Sequence, residues 1–225
     1  MPKISVITPV SRGVKVLEQL LRDFKNQTFS DFEHICVQDG DPPADVVQLM
    51  KDKGGPRTRF HAIKKDMGNM LMAPGTRPRN YGTQLAKGDY VCYFDDDDRA
   101  HCRYLETFAQ GMTQDTKSIA VVQMSCQESR MYKNGNPDRI VCIPEIGVPI
   151  PTICHIGTPC FMVPRTWALE LPWQHEPEHD FRFLARIVQK YNPPIYFFPR
   201  MLVDVDGEIL TGMRDWVDFP PFYRD

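Results

Sequence analysis

The chain has no excess of either charge sign. Its 225 residues carry 27 Lys and Arg against 29 Asp and Glu, a formal net charge of −2. That balance excludes the basic face that nucleic-acid-binding domains need, so nucleic acid is not an expected partner. A phosphorylated ligand would have to be held by local groups rather than by a global field. The seven cysteines form no Cys-x-x-Cys pair and their number is odd. No disulfide framework is expected, and a reducing, cytoplasmic location is. Cys36 and Cys92 lie inside apolar runs, where reduced cysteine packs as a small hydrophobe. No apolar run approaches the ~18 residues of a membrane span. The stretch 141–154 is fairly apolar, but Pro144, Pro149 and Pro151 break it. Peripheral contact with a membrane is not excluded by this, and neither is a homodimer. The start, Met-Pro-Lys-Ile-Ser, enters strand-like sequence at once, so no signal peptide is expected. There is no internal repeat and no low-complexity segment.

Against those absences stands an ordinary globular composition, 42% hydrophobic and 25% charged. The length suits one sizeable core or two fused subdomains. The first ~115 residues alternate strand and helix signals, as parallel α/β folds do. Strands are predicted at 4–8, 32–38, 59–63 and 90–94. Pro9 closes the first, and Asp39-Gly40-Asp41-Pro42-Pro43 closes the second. Helices are predicted from Val14 through Phe24, over 44–51, over 77–87 with Tyr81 and Leu85 on one face and Gly88 as stop, and over 103–112. Residues 64–75 read as a loop near a ligand. The second half is less regular. Strands are expected at 119–125, 160–163 and 195–198. A hairpin tip is expected at 134–137, between 131–132 and 140–142. An amphipathic helix is expected over 180–191, with Phe181, Leu184, Val188 and Tyr191 inward and Arg182, Arg186 and Lys190 as a solvated stripe.

The most informative feature is Asp95-Asp96-Asp97-Asp98, reached directly from the apolar run Tyr90-Val91-Cys92-Tyr93-Phe94. Four adjacent carboxylates do not all ionise cheaply unless water or a cation compensates them. As a bare string the cluster reads equally well as a solvated acidic turn. Its place at the carboxyl end of a buried strand favours a ligand site, because open α/β sheets bind ligands along that edge. Carboxylates there suit Mg²⁺ or Mn²⁺ bridged to substrate phosphates.

Several stretches in order carry a more specific resemblance. These are Ile4-Ser5-Val6-Ile7-Thr8-Pro9, then Asn26-Gln27-Thr28-Phe29-Ser30-Asp31-Phe32-Glu33, then Val37-Gln38-Asp39-Gly40. They continue with Arg79-Asn80-Tyr81-Gly82, Ala86-Lys87-Gly88-Asp89-Tyr90 and Phe94-Asp95-Asp96-Asp97-Asp98. Together they resemble glycosyltransferase family 2 over about the first 115 residues. The resemblance implies a GT-A fold: a Rossmann-like, mostly parallel central α/β sheet flanked by helices, with a smaller mixed region on the acceptor side. Residues 1–115 would be the nucleotide-sugar-binding half and 116–225 the acceptor-side half of one domain.

The resemblance also implies roles. Thr8 and Pro9 would flank the base or ribose, and Asp39 would contact the nucleobase. A carboxylate there accepts the N3–H of uracil, which favours a UDP-sugar without excluding a GDP-sugar. Arg79 and nearby Arg77 would neutralise the diphosphate, their forks matching phosphate oxygens. Asp97 would hold the metal, Mn²⁺ or Mg²⁺, with Asp95 as its partner in the Asp-x-Asp register or Asp96 in an alternative alignment shifted by one residue. Asp95 or Asp96 would touch ribose or sugar, and Asp98 would support the cluster or cap the 103–112 helix. Asp180, in Glu178-His179-Asp180, takes the position of the catalytic base, and His179 stands where the family usually has an acid. His155 and His175 read as structural, and Trp173 as either core or a sugar platform.

The implied activity is a metal-dependent inverting transfer from a nucleoside diphosphate sugar to a hydroxyl of a glycan or other acceptor. The alternative is a donor-binding, catalytically degenerate domain within a larger assembly. A sugar-nucleotide pyrophosphorylase fits poorly, since Thr8-Pro9-Val10-Ser11-Arg12-Gly13 has a single glycine where those enzymes carry a Gly-rich loop.

Overall fold

The computed structural model describes residues 3–65, 75–112, 117–131, 134–136 and 139–205. The predicted 64–75 loop therefore lies mostly outside the described residues, as do Tyr132, Pro137 and the polar, aromatic tail from 207. In chain order the elements are β1 (Ile4–Val10), α1 (Val14–Lys25), β2 (Phe32–Asp39), α2 (Ala44–Lys53), β3 (Thr58–Ile63), α3 (Thr76–Leu85), β4 (Tyr90–Tyr93), β5 (Arg99–Ala100) and α4 (Tyr104–Gln110). There follow β6 (Ile119–Gln127), α5 (Glu128–Met131), β7 (Ile140–Ile143), β8 (Phe161–Pro164), α6 (Arg165–Glu170), α7 (His179–Tyr191) and β9 (Ile195–Asp204).

One sheet runs through both halves in the order β3-β2-β1-β4-β8-β6-β9-β5, with β7 added beside β6. The run β3-β2-β1-β4 is parallel. Beyond β4 the sheet is mixed: β8 is antiparallel to β4 and β6, and β9 is parallel to β6. This is the expected α/β architecture, parallel on the nucleotide side and mixed on the other. The central strands are the most apolar, as burial on both faces demands; every residue of β1 and β4 is buried, while the edge strand β3 (TRFHAI) is mostly half-buried. Helix α1 seals one side with Leu17, Leu20, Leu21 and Phe24.

Several predicted boundaries move, each for a physical reason. Pro9 does not end β1; it pairs with Val37 inside it. Its register neighbours Lys3 and Ile7 bond toward β4, accepting the N–H groups of Tyr90 and Phe94. Pro9 follows in that series, and β4 has already stopped at Tyr93, so its missing N–H costs no ladder bond. Helix α3 ends at Leu85, not Lys87, and buries Thr76, Pro78, Arg79, Gly82 and Thr83; Tyr81 and Leu85 are only partly covered. Gly82 faces β1 so closely that a Cβ would lie 2.4 Å from Ile7 Cγ2. The expected hairpin is formed instead by β6 and β7, pairing Met124 with Ile143 and Gln127 with Ile140, while Met131 belongs to a short helix. In α7 the buried face is Phe183, Leu184 and Ile187, one step round from the prediction. Phe181, Val188 and Tyr191 only flank it, and Arg186 is paired with Glu176 rather than simply solvated. Strand β9 continues past Pro199 to Asp204 because the pairing shifts register between Val121 and Gln123, which absorbs the proline in a bulge. Among the described residues no helix is long and apolar enough to cross a membrane.

Candidate active site

Strands β1, β2 and β4 all end at one edge of the sheet. Because β2 lies on one side of β1 and β4 on the other, their carboxyl ends open the crevice that parallel sheets offer to ligands. A cleft of about 520 Å³ occupies it. Of the residues predicted to form a site, Pro9, Asp39, Arg77, Arg79, Asp95, Asp96, Asp97 and Asp180 line this cleft. Thr8 does not. It is fully buried, and its hydroxyl meets His34 Nε2 at 3.0 Å, behind the cleft wall.

The four aspartates have diverged in role. Asp96 is buried and turned to the backbone, where its Oδ2 accepts the N–H groups of Ser11 at 2.6 Å and Arg12 at 2.7 Å. It fixes the loop between β1 and α1. Burial pushes its carboxyl above the ordinary value in spite of those two bonds. Asp95 accepts from Arg79 at 2.5 Å, and Asp97 lies 3.1 Å from the Arg12 guanidinium. Burial, with Asp95 and Asp96 close by, pushes Asp97 up to about 6 against the opposing pull of Arg12. Asp98 is buried, and its N–H closes the turn onto the Asp95 carbonyl. It does not cap the following helix: β5 intervenes, and α4 starts after Arg103 without a side-chain cap.

The cluster is braced from behind. Arg99 grips the Asp23 carboxylate of α1 through Nε at 2.7 Å and Nη2 at 2.9 Å, and the N–H of Ala100 joins them. Gln27 spans from α1 to the same segment, donating to the His101 carbonyl and accepting from the Leu105 N–H. The Asn26-Gln27-Thr28 stretch thus holds the chain just beyond the aspartates.

Arginines complete the rim. Arg77 reaches both Asp39 oxygens, at 2.9 and 3.1 Å. Arg79 is buried beneath Asp95, its guanidinium 5.0 Å from the centre of the Trp173 ring. Trp173 is 2% exposed and stacks on Phe183 at 4.2 Å, so it is core and offers no sugar platform. Asn80 clasps the same residue, donating to its carbonyl and accepting its N–H, both at 2.9 Å. This anchors the segment that leads into α7. There His179 and Asp180 line the same cleft as the aspartates. Burial raises the Asp180 carboxyl, with His179 opposing, and burial together with Arg79 lowers the His179 imidazole.

The chain matches the family model "Glycosyl transferase family 2" over residues 5–170. It belongs to glycosyl transferase family 2. Among curated members it is 33% identical over 109 residues to the poly(ribitol-phosphate) β-N-acetylglucosaminyltransferase TarP of Staphylococcus aureus, covering 47% of this chain and 32% of that one. It is 32% identical over 112 residues to the GalNAc(5)-diNAcBac-PP-undecaprenol β-1,3-glucosyltransferase of Campylobacter jejuni, covering 49% and 34%. The matched region spans about a third of these relatives' length. Among solved structures, S. aureus TarS 1-349 in complex with UDP-GlcNAc superposes with a TM-score of 0.64 at 18% identity, over 90% of this chain and 58% of that one. The mannosyltransferase PcManGT of Pyrobaculum calidifontis, in complex with GDP-Man and Mn²⁺, gives 0.65 at 12%, over 90% and 56%. The GT-A fold is thereby shared.

The donor set of this family 2 cleft fits a hard divalent cation. Asp95 and Asp97 offer carboxylate oxygens, and among the described residues no three His, Cys, Asp or Glu side chains form a preformed cage. Mg²⁺ and Mn²⁺ suit such an open arrangement, taking one or two carboxylates and completing their shell with phosphate and water. Sequence reasoning missed Arg12, whose only signal was its place in the loop after β1. It also missed the part played by Asn80, although the Arg-Asn pair itself was recognised.

Proposed function

We propose that this chain is the nucleotide-sugar-binding and catalytic part of a metal-dependent, inverting glycosyltransferase. The donor would be a nucleoside diphosphate sugar, a UDP-sugar by preference, and the acceptor a hydroxyl of a glycan or related molecule. One observation carries the reading: Asp39, Arg77, Arg79, Asp95 and Asp97 line one cleft together with Asp180. The UDP-GlcNAc and GDP-Man carried by the structural neighbours support a nucleotide sugar as ligand.

Asp39 would accept from the base, and Arg77, already beside it, would lie at the base-to-phosphate end. Asp97 and Asp95 would hold Mn²⁺ or Mg²⁺, which would supply positive charge to the leaving diphosphate. Arg79 is pre-organised beneath the same place, so its charge is available without reorganisation. Asp180 would take the proton of the acceptor hydroxyl as that oxygen bonds to the anomeric carbon and the diphosphate departs on the opposite face. Burial raises its carboxyl, which makes it a stronger base than an exposed aspartate, and burial with Arg79 makes the neighbouring His179 imidazole a weaker base than an exposed histidine. The division at about residue 115 into donor and acceptor halves of one domain belongs to this proposal. So does a cytoplasmic location, supported by six free thiols among the described residues.

The test is calorimetric titration of UDP in the presence of Mn²⁺, with EDTA and with Asp97→Asn as controls, followed by thermal shift with a panel of nucleotide sugars. Binding that needs the metal and falls at least tenfold in Asp97→Asn is expected. Equal UDP affinity in all three conditions would overturn the metal assignment.

A further inference from the structure

The geometry points to Arg12 as an exchangeable cation that holds Asp97 until the divalent metal arrives and then passes to the donor diphosphate, coupling the binding of metal and nucleotide. The inference rests on the reading of the cleft just proposed.

Two arginines serve neighbouring carboxylates in unlike ways. Arg79 is 4% exposed, tied to Asp95 and packed over Trp173; it has nowhere to go. Arg12 pairs with Asp97 through a side chain 64% exposed to solvent. An exposed pair of this kind is worth little, so the arginine leaves cheaply. Its backbone stays in place, because Asp96 holds the Arg12 N–H at 2.7 Å and that of Ser11 at 2.6 Å. The side chain therefore swings from a fixed root on the cleft wall.

Asp97 is only 18% exposed and has Asp95 and Asp96 as neighbours. A carboxylate in that setting favours a cation at all times. A dication held by Asp97 would repel the guanidinium that lies 3.1 Å from the same carboxylate, so the two would compete for it. Metal binding alone must displace Arg12 into water. Metal binding with a diphosphate gives the displaced fork a new anionic partner in the same cleft, since guanidinium geometry matches phosphate oxygens. Each ligand then strengthens the other by the same factor, as linkage requires.

The experiment is calorimetry on the full chain with Mn²⁺ alone, with UDP at saturating Mn²⁺, and with Mn²⁺ at saturating UDP, for wild type, Arg12→Ala and Arg12→Gln. In both variants Mn²⁺ alone should bind about 2–5-fold more tightly, the scale of a lost exposed ion pair. UDP should bind roughly tenfold more weakly, the scale of a lost charge-assisted contact. The tightening of Mn²⁺ by UDP should shrink accordingly. Arg12→Gln keeps most of the stem, so it separates lost charge from lost packing. Variants with wild-type affinities for both ligands would overturn the exchange while leaving the donor site standing. A wild-type chain that binds neither Mn²⁺ nor UDP would overturn the site reading and the exchange together.

Discussion

The Arg79 guanidinium donates to Asp95 at 2.5 Å while almost its whole side chain is out of water. Gly75 makes this possible. Its φ is +86°, and a Cβ there would lie 2.7 Å from Arg79 Nη1 and 3.2 Å from Pro9 Cγ. Gly75→Ala therefore carries two penalties, a left-handed backbone and a displaced buried cation. We expect a loss of about 1–3 kcal/mol in urea denaturation and weaker UDP binding by calorimetry. A variant with wild-type stability and affinity would show that Arg79 is not held from below by this residue.

In the proposed reaction Asp180 would separate chemistry from binding. Asp180→Asn should lower the transfer rate about 100-fold or more, the scale of a removed general base, and leave UDP affinity within about twofold. Because burial raises its carboxyl, the acid limb of the wild-type rate profile should fall above the ordinary aspartate value of 3.8. If UDP binding collapses along with turnover, the residue is structural.

Asn80 bears on the same step through the backbone. Asn80→Ala removes both hydrogen bonds to the Trp173 backbone, leaving a buried N–H and C=O unpaired at about 1–3 kcal/mol. Since Trp173 stacks on Phe183 of α7, the rate of transfer should suffer more than UDP affinity. Steady-state kinetics beside calorimetry would show whether the loss divides that way.

His34 makes stability depend on pH. Burial lowers its imidazole from 6.5 to about 3. Between those values the unfolded chain takes up a proton that the folded chain refuses, so stability is full above 6.5 and declines as pH falls toward 3. At pH 5 the loss is at most about 2 kcal/mol. His34→Gln should flatten that part of the curve; urea midpoints at pH 7.5 and 5.0 that fall equally in both proteins would contradict this.

The parallel half was legible because its physics is local. Runs such as Ile4-Ser5-Val6-Ile7 and Tyr90-Val91-Cys92-Tyr93 are apolar enough to be recognised without knowing their neighbours. The Asp cluster was legible for the same reason. What stayed hidden depends on partners distant in sequence. Nothing near Asp96 says that it will bond to Ser11 and Arg12, and nothing near Trp173 says that Asn80 will hold it. The step round the face of α7 is of this kind: Phe181 and Phe183 fit a helical stripe equally well until Trp173 and Phe161 are in place beside Phe183. Pro9 misled as a strand stop, because whether a proline breaks a strand depends on what lies beside it.

The bonds from Asp96 to Ser11 and Arg12 join positions 84 and 85 residues apart. Such a contact needs β1 and β4 side by side, so we expect the cleft to be completed late on the route to the native chain. A nucleotide bound as proposed would recognise only molecules that have finished that search. The donor should then act as a brake on unfolding more than as an aid to folding, and its presence would register as a longer native lifetime.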